Sequence, residues 1–213
     1  MKITVSNQHL IKLGLAAALV VAGSASQAQD ATWIGGAGTT DWNDDLNWDI
    51  GVPAEGTNAI ITIGSFVDYN APMAASSFAT LSSSGELNIN AGGFTVDGTG
   101  DGVIGLIGTT ARLWVNNGGV VTLPNGGLSL SNGAAMTVAA GGSVSIQGSL
   151  LLGRNANNNV GFVTNNGGTI SAAATSVNPN NNSFTCRSWI LWIAAIRWSK
   201  SACAGMRLDS LSE

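Results

Sequence analysis

The chain has 213 residues, of which 45% are hydrophobic and only 9% charged, with a formal net charge of −4. So few charges exclude charge-driven disorder and a basic face for nucleic acid, since both need a high density of charge. The 29 glycines, set among Asn, Ser, Thr and β-branched residues, favour an all-β chain of short strands and many turns.

Residues 1–28 read as a signal peptide. Lys2 and Lys12 supply its positive start, Leu13 to Gly23 its apolar core, and Ser26-Gln27-Ala28 a small-residue cleavage site after Ala28. That core falls short of the ~20 apolar residues that span a bilayer, so no membrane span is expected after cleavage. Cleavage would also remove His9, the one histidine of the chain. Ser-His-Asp and Cys-His catalysis and His-ligated zinc are excluded together on that reading. Six basic residues then stand against 12 carboxylates, a net charge of −6, which again argues against nucleic acid as a partner.

Residues 29–84 carry Trp33, Trp42 and Trp48, clustered Asp and Asn, and the turn signal Gly51-Val52-Pro53; they are assigned to an N-terminal cap and the first strands. Residues 85–180 repeat themselves. Gly-Gly pairs recur at Gly92-Gly93, Gly118-Gly119, Gly141-Gly142 and Gly167-Gly168, at spacings of 26, 23 and 26 residues. Five and three positions ahead of each pair stand Leu87 and Ile89, Leu113 and Val115, Met136 and Val138, and, in the fourth copy, Phe162 and Thr164. A second alternating piece follows each pair, as at Val121 and Leu123 or Val144 and Ile146, and then a third apolar segment, as at Leu128 to Leu130. Strand, Gly-Gly turn, strand, turn, strand is one coil of a β-solenoid. A single coil cannot bury its inward apolar row, but stacked coils bury it jointly. Asn116, Asn117, Asn165 and Asn166 beside the glycines are candidates for side-chain ladders between coils.

The stretch Thr32-Trp33-Ile34-Gly35-Gly36, with Asp41-Trp42-Asn43, Asn47-Trp48 and Gly51-Val52-Pro53 behind it, resembles the N-terminal cap of autotransporter-passenger-like secreted bacterial surface proteins, including those with PEP-CTERM sorting tails. The segments LWVNNGGVVTL and MTVAAGGSVSI are similar to the β-strand repeats of the same group. The resemblance covers roughly residues 31–178. It implies a right-handed parallel β-helix, export across the inner membrane, and display at the cell surface or release from it.

Residues 181–213 break the pattern, with a burst of Trp and Arg and with Cys186 and Cys203. The apolar run Trp189 to Ile196 is too short to span a membrane. On a helical wheel its apolar residues share a face with Arg197, Lys200 and Arg207, so it makes a poor amphipathic helix. The segment reads as a frameshifted or truncated gene end, or else as an irregular cap or short helix over the open solenoid end. A Cys186–Cys203 disulfide is open in an oxidising compartment.

Four candidates for chemistry remain. Asp41, Asp44, Asp45 and Asp49 offer hard oxygen ligands for calcium, but without EF-hand spacing they read better as a turn with capping side chains. Asp97 and Asp101 frame a Gly/Asp loop with the same two readings. Trp33, Trp42 and Trp48 can stack on sugar rings, or plug the solenoid end. Trp114 alternates with Leu113 and Val115, which puts it outside as a candidate ligand contact. For glycan cleavage, residues 85–180 hold only Glu86, Asp97 and Asp101 as carboxylates and Arg112 and Arg154 as cations, so no acid–base pair can be assigned. No catalytic residue and no obligate cofactor is expected. The chain reads as an exported, non-enzymatic, adhesin-like solenoid of a bacterial surface or matrix, meeting surface glycans or proteins through many weak contacts. Self-association through open solenoid ends is a further expected contact, and a carbohydrate-binding module or polysaccharide-lyase-like fragment is the alternative.

Overall fold

A computed structural model describes residues 28–70, 77–153 and 160–177. The signal peptide ahead of Ala28, the tail at 181–213 and Cys186 and Cys203 lie outside the described residues. Among those described, the chain is a right-handed parallel β-helix of about six turns, the architecture expected from the repeats.

The first coil holds β1 (Gln29–Thr32) and a long loop with one 3-10 turn at Asp45–Asn47. Next come β2 (Thr57–Ile61), β3 (Phe66–Tyr69) and β4 (Ser77–Phe78). The third coil is β5 (Thr80–Ser83), β6 (Glu86–Ile89) and β7 (Gly92–Val96). The fourth is β8 (Gly100–Ile107), β9 (Arg112–Val115) and β10 (Gly119–Leu123). After them run β11 (Gly126–Ser131), β12 (Ala134–Ala139), β13 (Ser143–Leu152), β14 (Gly161–Asn166) and β15 (Thr169–Val177). Parallel pairing already joins β1, β2 and β5, so the coils begin well ahead of residue 85.

Stacking makes three faces. Face one runs β1-β2-β5-β8-β11 and ends on the second half of β13 and of β15. Face two is the separate five-stranded sheet β3-β6-β9-β12-β14. Face three runs β4-β7-β10 onto the first halves of β13 and β15. Faces three and one are continuous because β13 turns their corner as one strand, with its register shifting between Ile146 and Ser149.

The core follows from period-two alternation. On face two Val67, Leu87, Leu113, Met136 and Val163 stack in register and are all buried. On face one Ala59, Leu81, Ile104, Leu128 and Leu150 do the same. Each Val, Leu, Ile or Met among them stabilises the stack by ~1.5–3 kcal/mol relative to exposure.

The two members of a Gly-Gly pair serve different ends. Gly92, Gly118, Gly141 and Gly167 have φ between 72° and 92°, where a Cβ is strained. In the last three pairs the second glycine answers to space instead. A Cβ on Gly119 would lie 2.4 Å from the Ile89 carbonyl oxygen, and one on Gly142 would lie 2.6 Å from that of Val115. The corner therefore rests directly on the backbone of the coil before it.

Asparagines do ladder between coils, through Asn116 as expected but with Asn90 and Asn70 as its partners. Asn90 Nδ2 donates to Asn70 Oδ1 at 2.8 Å, and Asn116 Nδ2 donates to Asn90 Oδ1 at 2.6 Å. Asn90→Ala removes both rungs. Each hydrogen bond contributes a net ~0.5–1.5 kcal/mol, and these are partly open to water, so a loss of about 1 kcal/mol is expected in urea unfolding. An unchanged midpoint would show the ladder to be energetically idle.

The fourth repeat corrects the expected register. Val163 and Asn165 point inward, while Phe162 and Thr164 face out. β14 sits one residue closer to its glycine pair than the earlier copies do, and a one-residue slip reverses both faces of a strand. Asn165 is buried without penalty because Oδ1 accepts from the Gly168 N–H at 2.8 Å and Nδ2 donates to the Gly168 carbonyl at 3.1 Å. It closes the tight corner by itself, so it is not available for the ladder.

Candidate functional site

The N-terminal tryptophans are structural. Trp33, Trp42 and Trp48 are 5%, 0% and 3% exposed. Trp48 meets Trp33 edge-on at 5.2 Å and Trp42 at 4.7 Å, and its indole N–H donates to the Trp42 carbonyl at 2.8 Å. Trp42 also packs against Tyr69, Phe78 and Phe94. No ring face is left for a sugar, which corrects the stacking role considered for these three residues. They plug the solenoid at β1, the end strand of its sheet among the described residues. The Trp33–Trp48 bridge and the Asp49 N–H bonded to the Thr32 carbonyl at 3.0 Å fold the loop over the end of β1.

The acidic loop is held by its own backbone. Asp41 Oδ1 accepts from Asn43 N at 3.0 Å, Asp44 Oδ1 from Leu46 N at 3.1 Å, Asp45 Oδ1 from Val52 N at 3.2 Å, and Asp49 Oδ1 from Thr32 N at 2.7 Å. Four carboxylates thus serve four separate backbone donors, which is turn chemistry. Asn47, fully buried, joins the same loop by accepting from Ala37 N and donating to Thr39 Oγ1 and the Asp41 carbonyl. Asp97 accepts from Ser77 Oγ at 2.5 Å, and Asp101 lies in β8. Among the described residues no three His, Cys, Asp or Glu side chains come together as a metal site.

The outward surface of face two is different. Alternation on β3, β6, β9, β12 and β14 places Phe66, Glu86, Arg112, Ala135 and Phe162 in one outward column. Asp68, Asn88, Trp114, Thr137 and Thr164 form the column beside it. Phe66, Trp114 and Phe162 are 59%, 36% and 39% exposed, and they are the exposed aromatic rings among the described residues. All three stand on this one face. Trp114 lies where alternation put it; Phe66 and Phe162 were missed.

Polar groups on this face are preset. Asp68 accepts from Thr40 Oγ1 at 2.6 Å and from Asn88 Nδ2 at 3.0 Å, and the same Nδ2 reaches Glu86 Oε1 at 3.5 Å, which fixes the Asn88 amide in the column of Trp114. Arg112, the one cation among the described residues, donates through Nη1 to the carbonyls of Ala111 at 2.8 Å and Gly133 at 3.3 Å. Those two bonds hold the guanidinium against the sheet and leave its other N–H groups to a ligand. Beside Phe162 the corner opens into a shallow cleft of about 450 Å³, lined by Thr109, Asn132, Gly133 and Val160.

The class that this geometry defines is a parallel β-solenoid with one aromatic, mixed-polarity face. The chain matches no family model, and no curated protein or solved structure is significantly similar to it.

Proposed function

We propose that the protein is an exported, non-enzymatic β-solenoid of a bacterial surface or matrix, acting by multivalent adhesion. The observation that supports this best is the alignment of outward side chains, aromatic and polar, into continuous columns by the parallel register, coil after coil. Contacts that are weak singly add up when one rigid body presents them in an array. The signal-like first 28 residues and the resemblance to passenger and PEP-CTERM-type proteins support export.

Expression with its own leader is expected to place the protein outside the inner membrane, with an intact mass beginning at Gln29. Purified protein is then expected to coat a bacterial or matrix surface, measured by retention after washing. Retention of the leader, or failure to adhere to any such surface, would count against the reading. A second reading, carbohydrate binding, is favoured by a specific observation: the exposed rings converge on face two rather than scattering over three faces.

A further inference from the structure

We infer that the outward surface of face two is a platform for a neutral, extended polysaccharide laid along the solenoid axis, with Trp114 as its central anchor. This rests on the adhesive reading above and names the partner of that face.

The ring positions carry the inference. Phe66, Trp114 and Phe162 sit on β3, β9 and β14, so successive rings are separated by two strand steps. Strands in a sheet are 4.7–4.9 Å apart, which spaces the rings about 9.5 Å along the axis, with Trp114 set two residues, roughly 7 Å, to the side of the Phe66–Phe162 column, so that a chain running between the two columns meets rings from alternate sides. The axial interval is close to the length of a disaccharide unit in an extended glycan. Pyranose rings present apolar C–H faces that pack on aromatic rings, and their equatorial hydroxyls reach sideways to hydrogen-bond partners. Here the partners lie in the intervening coils: Asn88 below Trp114, Thr137 above it, and the Arg112 N–H groups alongside. Rings two coils apart with polar groups between them suit a ligand that alternates apolar faces with hydroxyl edges. A packed protein surface would instead ask for a contiguous apolar patch.

Charge decides which polysaccharide. Face two carries Asp68 and Glu86 against Arg112, and Arg112 already gives two of its N–H bonds to carbonyls. Two carboxylates and one partly engaged cation repel a polyanion, so a neutral chain fits and a polyuronate does not. The ligand lies on a sheet rather than in a groove, which suits a polymer bound along its length. The cleft beside Phe162 has room for a substituent on the last sugar bound.

The test is depletion binding of the secreted full chain to microcrystalline cellulose and to chitin, with soluble alginate as the anionic probe. Trp114→Ala is expected to weaken binding to at least one neutral polymer by about tenfold, and Phe66→Ala with Phe162→Ala by a similar factor. Trp114→Phe should retain most of the binding. Ile63→Ala, which removes an exposed side chain outside the platform, should bind like the parent. All four variants remove or trim exposed groups, so their thermal midpoints should match the parent and exclude misfolding. Equal binding by Trp114→Ala overturns the inference, as does a preference for alginate or an equal loss in Ile63→Ala. Adhesion to cells without binding to either neutral polymer overturns the glycan platform and leaves the adhesive reading standing. Absence of both overturns the two together.

Discussion

Trp42→Ala is expected to destabilise the protein by ~3–5 kcal/mol, the usual range for truncating a large buried aromatic. Trp42 is fully buried, touches Trp48 at 4.7 Å and Phe94 at 5.0 Å, and bridges the cap loop to the rings of Tyr69 and Phe78. Its removal leaves a cavity at the end of the described stack, where its four ring contacts now fill the core. Edge-on aromatic pairs of this kind each contribute ~0.5–1.5 kcal/mol beyond area burial. The indole of Trp48 would also lose its fixed acceptor, because the Trp42 carbonyl is held in place by the packed ring. Urea unfolding followed by far-UV circular dichroism measures the effect, with Trp114→Ala as the matched control. Trp114 is exposed, so its loss should change stability by no more than ~0.5 kcal/mol. Similar losses for the two variants would show that the cap does not support the stack. Because coils contact only their neighbours, the cap region is expected to unfold ahead of the distal coils in Trp42→Ala.

Gly119→Ala carries the second large effect, a loss of ~1–3 kcal/mol from overpacking. The added methyl would meet the Ile89 carbonyl oxygen at 2.4 Å and the Ile89 side chain at 3.1 Å. Neither contact is a flexible chain end, so coils three and four must part locally to admit it. Gly93, the second glycine of the preceding pair, stands in register with Val120 rather than with Gly119, and a Cβ there has nothing within 4 Å. Gly93→Ala should therefore be neutral or slightly stabilising, since alanine narrows the unfolded ensemble. The two variants distinguish steric contact between coils from a generic requirement for glycine at the second place of each pair. Equal destabilisation by both substitutions would refute the distinction.

Much of the architecture is legible in the sequence because a solenoid writes its three-dimensional repeat as a linear one. Leu113 and Val115 alternate with Trp114, and that period assigns inside and outside without tertiary information. The glycine pairs mark corners for the same reason: a left-handed corner favours glycine wherever it recurs. The candidate site was legible only in part. Phe162 occupies the inward slot when counted back from Gly167, yet β14 is slipped by one residue and turns it outward. Phe66 lies outside the counted repeats, so no periodic signal marked it. The three cap tryptophans carried a real ambiguity, because an aromatic ring suits a plugged core and a sugar-binding surface equally well.

The sequence by itself determined the fold class, the coil length near 25 residues and the alternation that fills the core. Those properties depend on local backbone conformation and on the partition of apolar from polar residues, both encoded position by position. Only the tertiary structure decided which rings are buried, where the asparagine ladder runs and that three aromatics from distant repeats share one face. These depend on the register between coils, and register is set by how a corner such as Asn165-Gly168 packs on the backbone beneath it. A single-residue difference in that packing exchanges core for surface along an entire strand.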